Sequence, residues 1–358
     1  MLSHSIYCTS MLDNISLFQN NRNWDQIRDE VIDLVDTYHA LGIAQNGSPM
    51  LELESVLAGR FNRKHCVTTA SCTDALVIAL NALNLPKNSC VAVSNYTFTA
   101  TAHAIARAGY QVIPVDVDNN YCINCELIPD VSAVVVVDLF GNMSQWSTLE
   151  KFKVPIINDA AQSIESHNGV KWSAEYGLIS CLSFSPSKTI SSWGSGGALV
   201  TDNDDIANIA RKLRLHGKIK NSDIAVDAGL NSMMSSFEIA SVLVGLRYSS
   251  NWQQRRKSIA DYLISNSTHV SGMDTQLEQH TYHKLVFQSW DRNSIIKKAR
   301  DNQIELAIHY NITVNDETLY QTAGSYPASN DLKQISFTVP NQHTLTDVEV
   351  ERIAKVLK

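Results

Sequence analysis

Val154-Pro-Ile-Ile-Asn-Asp-Ala-Ala-Gln-Ser163 and the later segment Ile179-Ser-Cys-Leu-Ser-Phe-Ser-Pro-Ser-Lys188 give the clearest indication of the fold. Each stretch opens with a short, mostly apolar run and closes with polar residues, which is the pattern of a buried strand that runs into a loop. Open parallel sheets bind ligands at the carboxyl ends of their strands. The two stretches therefore predict buried strands that carry Asp159 and Lys188 to the ligand-binding edge of a sheet.

Short β-rich runs alternate with helical patterns on either side of these stretches. The strand candidates are rich in Val and Ile and lie at 90–93, 112–117, 133–139, 154–157, 179–184 and 198–201. Between them, apolar residues recur at helical spacing over 73–83, 99–108 and 146–152. This alternation predicts an α/β fold, with a mainly parallel central sheet covered by helices.

The predicted pattern of secondary structure changes in the last third of the chain. Helical patterns cover 205–216, 235–247 and 251–264, and beyond them lie short strands at 285–288 and 335–339 and amphipathic helices at 294–302 and 347–357. We place the domain boundary at this change. It predicts a large domain of residues 1–248 and a smaller C-terminal α+β domain of residues 249–358.

The composition excludes several classes of protein. With 358 residues, 44% of them hydrophobic and 18% charged, the chain is long and apolar enough for a substantial core. Its net charge of −7 argues against a nucleic-acid partner. The longest purely apolar run is residues 75–80, far shorter than a membrane span, and the N-terminus shows no signal pattern. We therefore expect no membrane association and a cytoplasmic protein.

Seven cysteines are scattered along the chain, which favours reduced thiols over a disulfide framework. Cys122-Ile-Asn-Cys125 is a C-x-x-C pair, but no second pair accompanies it. We interpret the two as incidental thiols and predict no metal site.

Three segments carry candidate functional residues. Ser71 and Thr73 precede an apolar helix, where they could bind a phosphate or merely cap the helix. Asp159 follows a strand, where it could hold a cationic ring nitrogen or a metal, or cap a helix. Lys188 lies in a turn rich in Ser and Gly, where it could neutralise a phosphate, form a Schiff base or remain an exposed loop residue.

Together, the three segments meet the needs of one cofactor. Pyridoxal 5′-phosphate (PLP) requires a phosphate cradle, an acid that keeps its pyridine nitrogen protonated and a lysine that forms a Schiff base with it. A nicotinamide enzyme would instead show G-x-G-x-x-G between a strand and a helix, and the sequence contains no such motif. PLP is therefore the predicted cofactor.

The order of these motifs resembles that of the DegT/DnrJ/StrS family of PLP-dependent sugar aminotransferases. The resemblance begins at about Gly47 and runs to the C-terminus. It is carried by seven stretches in order: Ser71-Cys-Thr-Asp-Ala-Leu76, Asn95-Tyr-Thr-Phe-Thr-Ala-Thr101, Pro114-Val-Asp-Val-Asp118, Asn158-Asp-Ala-Ala-Gln-Ser163, Ser183-Phe-Ser-Pro-Ser-Lys188, Gly194-Ser-Gly-Gly197 and Leu213-Arg-Leu-His-Gly217. It implies fold type I, the aspartate aminotransferase fold.

The resemblance also implies roles for individual residues. Lys188 matches the catalytic lysine that binds the cofactor and moves the proton, and Asp159 matches the acid at the pyridine nitrogen. The other cofactor-binding matches are Cys72, Thr73 and Ser183 at the phosphate, Gln162 beside the ring, Phe98 stacked on it, and Asn231, which reaches the phosphate of a neighbouring subunit. The match at Asn231 implies a homodimer with shared active sites.

The resemblance implies a ping-pong transamination. L-glutamate would convert the cofactor to pyridoxamine phosphate, which would then aminate a keto group, which we expect to be a 4-keto group, on a dTDP- or UDP-linked 6-deoxy sugar in amino-sugar biosynthesis. Two other functions remain open: a PLP-dependent sugar dehydratase, in which a histidine replaces the lysine, and a non-catalytic PLP-binding homologue. The chain departs from the family at Met233, where an arginine is usual, and after His309-Tyr310, where the usual Pro-rich stretch is missing.

Overall fold

The helices and strands follow the predicted alternation. The computed structural model describes residues 14–218, 224–274 and 276–358. Its helices are α1 (Asn20–Ala40), α2 (Ser48–Arg60), α3 (Cys72–Ala82), α4 (Ala100–Arg107), α5 (Trp146–Leu149), α6 (Asp204–Arg214), α7 (Ser236–Ser265), α8 (Arg292–Asp301), α9 (Pro327–Ile335) and α10 (Asp347–Val356). Its strands are β1 (His65–Thr69), β2 (Cys90–Ser94), β3 (Gln111–Val115), β4 (Ala133–Val137), β5 (Ile156–Asp159), β6 (Ile179–Ser183), β7 (Gly197–Thr201), β8 (Val270–Ser271), β9 (Leu285–Gln288) and β10 (Ser336–Val339).

A twisted sheet forms the centre of the molecule. Within the described ranges it has seven strands in the order β1-β7-β6-β5-β4-β2-β3. The strands from β3 to β6 run parallel, and β7 runs antiparallel to both β6 and β1. The predicted α/β class and mainly parallel sheet are confirmed. The sheet places the ends of β5 and β6 side by side, with Asp159 opposite Cys181 in the register.

Both faces of the sheet are covered by helices. On one face, α3 and α6 bury Leu76 and Leu213 against Val135 and Ile157 of the sheet. On the other face, residues of α2 and α7 pack against the side chains that point the opposite way, such as Phe184. Because both faces are covered, the inner strands are mostly apolar, which is the pattern that made them recognisable in the sequence.

Two local expectations are wrong or incomplete. The predicted pair of helices over 235–247 and 251–264 is one helix, α7, which runs from Ser236 to Ser265. The polar residues at the expected break are accommodated because Ser249 donates a hydrogen bond to the carbonyl of Leu246 at 3.0 Å and Trp252 is buried against α1. Strand β1 was not predicted, because its sequence, His-Cys-Val-Thr-Thr, lacks a continuous apolar run.

The C-terminal residues form the predicted α+β arrangement. Strands β10, β9 and β8 make a small antiparallel sheet, which packs with α8 and α10. The apolar cluster at its centre includes Phe287 and Phe337 and continues without interruption to Tyr96 and Phe140. The predicted domain boundary near residue 248 falls inside α7. The division into two domains stays a prediction, while the shared core holds the small sheet against the end of the large one.

The cysteine thiols contribute little to the chemistry of the protein. Six cysteines are free thiols, and Cys8 lies outside the described residues. Cys122 and Cys125 are both buried, and burial raises the pKa of the Cys125 thiol to about 11.

In the part of the chain that the structure describes, no helix has the length and apolar character needed to span a bilayer.

Candidate active site

Asp159 is the last residue of β5, and it is 5% exposed. Its carboxylate accepts hydrogen bonds from Thr101 Oγ1 at 2.8 Å and from the backbone N–H of Ala161 at 3.2 Å. Burial raises the pKa of Asp159, while these two donors and the charge of Lys188 act in the opposite direction. A carboxylate in this position is suited to hold a cationic group inside the protein.

Lys188 lies in the turn that follows β6, and its backbone N–H donates to the carbonyl of Ser185 at 2.9 Å. Burial lowers the pKa of its amino group, and the charges of Asp159 and Cys72 oppose that shift. A lowered pKa makes more of the neutral amine available, which is the nucleophilic form. Of the three roles considered for Lys188, that of an exposed loop residue is excluded.

The N-terminus of α3 forms a third part of the site. Ser71 is the N-cap, and its Oγ accepts a hydrogen bond from the backbone N–H of Asp74 at 3.1 Å. Strand β7 passes so close that a Cβ on Gly197 would lie 2.4 Å from the backbone nitrogen of Cys72. The first N–H groups of a helix have no partner within the helix, so this end offers donors and a partial positive charge to an anion.

These parts meet at one cavity of about 470 Å³. Seven of the eight residues predicted for the site line it: Cys72, Thr73, Phe98, Asp159, Gln162, Ser183 and Lys188. The eighth, Asn231, is exposed and does not line this cavity. Met233, where the family usually has arginine, also lies outside the lining.

Gln162 and Tyr310 fix one wall of the cavity. The amide of Gln162 accepts from the backbone N–H of Phe140 at 3.1 Å and donates to the hydroxyl of Tyr310 at 3.2 Å. The Tyr310 ring lies 5.8 Å from the ring of Phe98, and the Tyr310 backbone N–H donates to the hydroxyl of Tyr96 at 2.7 Å. This network connects the end of the large sheet to the chain that carries the small one.

Several lining residues have no signal in the sequence. Lys284 and His283 come directly before β9, and Phe18 precedes α1, yet all three line the cavity. His309 also lines it and donates to or accepts from Thr338 Oγ1 at 2.9 Å, and burial lowers its pKa to about 3. The only hint of His283 and Lys284 in the sequence is that two basic residues precede an apolar strand, while His309 belongs to the His-Tyr pair of the resemblance.

The lining fits PLP. The cavity volume lies within the range of small-molecule sites, and it holds an acid, a lysine and a helix N-terminus at separate positions. The hydroxyl of Thr97, which also lines the cavity, is buried and has no hydrogen-bond partner among the described residues. Such a group is expected in a site that a polar ligand completes.

The chain is similar to known aminotransferases over most of its length. The model of the DegT/DnrJ/EryC1/StrS aminotransferase family matches residues 25–358. A Pseudomonas aeruginosa protein named UDP-2-acetamido-2-deoxy-3-oxo-D-glucuronate aminotransferase is 28% identical over 286 residues, which are 76% of this chain and 79% of that protein.

Two solved structures confirm the predicted fold. A DegT/DnrJ/EryC1/StrS aminotransferase from Brucella abortus has a TM-score of 0.90 with 24% identity and covers 96% of this chain and 98% of its own. NtdA from Bacillus subtilis, solved with bound cofactor PMP, has a TM-score of 0.89 with 23% identity and covers 97% of this chain and 85% of its own.

Proposed function

We propose, for a chain that belongs to the DegT/DnrJ/EryC1/StrS aminotransferase family, that it transfers an amino group from L-glutamate to a nucleotide-linked keto sugar. It is a PLP-dependent transaminase. The observation that carries the proposal is the meeting of Asp159, Lys188 and the N-terminus of α3 at one cavity. When bound, the cofactor supplies a carbonyl that reacts with amines and a ring that withdraws electrons.

Asp159 and the phosphate cradle set the cofactor's position. Asp159 would keep a proton on the ring nitrogen, because a buried carboxylate stabilises a neighbouring cation. Cys72 and Thr73, through the helix N-terminus, and Ser183 would bind the phosphate. Gln162, held by Phe140 and Tyr310, would lie beside the ring. Phe98 would cover the ring face.

Lys188 performs the proton transfer. Burial of its amino group lowers the pKa and thereby favours the neutral form, and the flexible side chain can reach both the cofactor and the substrate carbon. It takes the proton from the donor's α-carbon in the first half of the reaction and delivers a proton to the sugar carbon in the second half. The retained lysine argues against a sugar dehydratase, and the retained Asp159, Gln162 and Ser183 argue against a non-catalytic homologue.

The acceptor we propose is a dTDP- or UDP-linked 6-deoxy sugar with its keto group at carbon 4, used in amino-sugar biosynthesis. The Pseudomonas aeruginosa relative supports a nucleotide sugar as the substrate class, although its own named substrate is a 3-oxo uronate. A 3-keto sugar acid is therefore the second candidate.

We also propose that the protein works as a homodimer with shared active sites. Asn231 is exposed on its own chain and lies outside its own cavity. Phe98, which lines the cavity, is 52% exposed in the single chain, so the site is open on that side. A second copy that brings Asn231 to this opening would complete the phosphate site.

Absorption spectroscopy tests the proposed function. The purified protein is loaded with PLP, and the yellow band of the lysine-bound cofactor is followed while L-glutamate is added. We expect the band to be replaced by that of pyridoxamine phosphate, and subsequent addition of dTDP-4-keto-6-deoxyglucose to restore it. A band that L-glutamate leaves unchanged contradicts the donor, and restoration by a 3-keto sugar nucleotide alone contradicts the acceptor.

A further inference from the structure

Lys284 is a second lysine at the same cavity. It directly precedes β9 of the small sheet. The small sheet therefore places Lys284 at a site that is otherwise formed by the large sheet. The residue is only 6% exposed. Among the described residues that line the cavity, Lys188 and Lys284 are the two lysines, and Asp159 is the one carboxylate.

The ammonium of Lys284 has no anionic partner within the described part of the chain. No hydrogen bond or ion pair joins its Nζ to a described residue. Its Nζ lies over the ring of Phe18, 3.9 Å from the ring centroid. A cation over an aromatic face is stabilised, but much less than a buried cation loses when it leaves water.

The surroundings of Lys284 disfavour its charge further. Burial is the first reason that its pKa is well below the usual value, and the charges of Lys188 and Arg256 lower the pKa further. Glu305 opposes these effects, but its carboxylate accepts the backbone N–H of Leu17 at 2.9 Å and does not line the cavity. An oxyanion that enters the cavity would therefore meet an amino group without an anionic partner, and it would stabilise the protonated form of that group.

The cofactor does not require this cation. In the proposed function, Asp159 contacts the ring nitrogen and the N-terminus of α3 binds the phosphate. The lysine that binds the cofactor is Lys188. Lys284 has no role toward the cofactor and is therefore available to bind a substrate.

The two substrates differ in where their negative charge lies. An amino-acid donor carries a carboxylate on the very carbon that loses its proton, so that carboxylate must come deep into the cavity. A 6-deoxy keto sugar has no acid on its ring, and its diphosphate is separated from a 4-keto carbon by the sugar ring. Only the donor must bring an oxyanion to the interior, and a lysine is a compact cation for it.

We propose that Lys284 binds a carboxylate of the amino-acid donor and is thereby a specificity-determining residue for the first half of the reaction. The proposal rests on the proposed function. It also gives Phe18 a role, since its ring covers the ammonium while no carboxylate is bound. Lys284 then alternates between an aromatic face and an oxyanion as donor and sugar take turns in one cavity.

Calorimetry with glutarate tests the proposal without any turnover, because glutarate has neither an amino nor a keto group. The PLP-loaded wild type is compared with Lys284→Met, with Lys284→Arg and with Lys297→Met, a control whose side chain is 75% exposed on α8. We expect Lys284→Met to bind glutarate at least about 10-fold more weakly, Lys284→Arg to recover much of the loss, and Lys297→Met to match the wild type. Glutarate binding that is equal in wild type and Lys284→Met overturns the proposal.

The first half-reaction gives the second measurement. In Lys284→Met, the L-glutamate concentration that half-converts the cofactor should rise by a similar factor, while the absorption band of the lysine-bound cofactor stays intact. A wild type that binds glutarate through Lys284 but does not react with L-glutamate contradicts the proposed function alone. A wild type that reacts, with no change in Lys284→Met, contradicts the role of Lys284 alone.

Two sugar nucleotides exclude the other source of an oxyanion. Binding of UDP-glucose and UDP-glucuronate is measured on the same variants, and we expect Lys284→Met to leave both unchanged. Selective loss of UDP-glucuronate binding, with glutarate binding unchanged, overturns the proposal and assigns Lys284 to an acidic sugar. Lys284→Gln replaces Lys284→Met in all arms if the methionine variant does not fold.

Discussion

At the scale of single residues, the site depends on two charges of opposite sign placed at the ends of adjacent strands. Burial disfavours both charges, since it raises the pKa of Asp159 and lowers the pKa of Lys188. The protein stabilises each charge with a small number of specific partners. Changes to the residues themselves or to these partners should therefore have large and distinguishable effects.

Replacing Lys188 by Ala should remove both the Schiff base and the proton carrier. We expect the yellow band of the lysine-bound cofactor to disappear and transamination to fall by about 100-fold to 10,000-fold, which is the range for loss of a general acid–base group. Steady-state assays with L-glutamate and a keto sugar nucleotide measure the effect. Activity within a few-fold of the wild type would show that another group moves the proton.

Replacing Thr101 by Val should move the pH dependence of the reaction. The hydroxyl of Thr101 donates to Asp159 and favours the ionised carboxylate, so its loss should raise the pKa of Asp159. Asp159 must be ionised to hold the ring proton. As the pH is lowered, the variant should therefore lose activity at a higher pH than the wild type does. We expect that limb of the profile of kcat/KM to move up by about one pH unit. A profile identical to that of the wild type would mean that the hydrogen bond does not set the charge of Asp159.

At the scale of secondary structure elements, the phosphate cradle is a property of how β7 and α3 pack. Gly197 begins β7 and lies where any side chain would meet the backbone of Ser71 and Cys72. The N-terminus of α3 is therefore positioned by a strand that is distant in sequence and antiparallel to its neighbours. A shift of this terminus would turn its N–H groups away from the phosphate.

Replacing Gly197 by Ala should weaken PLP binding strongly, because its Cβ would lie 2.4 Å from the nitrogen of Cys72 and displace the helix terminus. We expect the Kd for PLP, measured by fluorescence titration, to rise by at least about 10-fold, as for loss of one to two charge-assisted hydrogen bonds. Gly59→Ala is the matched control, since a Cβ at Gly59, in α2, has no atom within 4 Å. Similar Kd values for the two variants would contradict the cradle.

At the scale of the whole molecule, the site is assembled from both parts of the chain and, in the proposed dimer, from two chains. The continuous apolar cluster that joins Phe287 to Phe140 keeps the small sheet in place, so Lys284 and Tyr310 stay at the cavity. Asn231 is left on the surface. These placements predict that inactive variants can complement each other.

Mixing Lys188→Ala with Asn231→Ala, after unfolding and refolding together, should restore activity. A heterodimer would contain one site with an intact Lys188 from one chain and an intact Asn231 from the other. Random pairing would then give about a quarter of the wild-type activity. The same variants refolded separately and then assayed together form the control. A mixture no more active than the control would place Asn231 in its own chain's site or outside any site.

The α/β class, the inner strands, and the positions of Asp159, Lys188 and the N-terminus of α3 could all be predicted from the order of the residues. These depend on neighbours along the chain, because a strand buried on both faces must be apolar and the residue at its end must follow it directly. The seven matching stretches added the family. Most of the predicted site could therefore be found without coordinates.

The remaining features became visible only in the folded molecule. It merged the two helices predicted for residues 235–264 into α7, added β1, and brought Lys284 and Phe18 to the cavity. The physical reason is that these features depend on packing between residues far apart in the chain. Trp252 continues a helix because α1 covers it, and Lys284 lines the same cavity as Lys188 because a shared apolar core holds two sheets together. No pattern of neighbouring residues records such contacts.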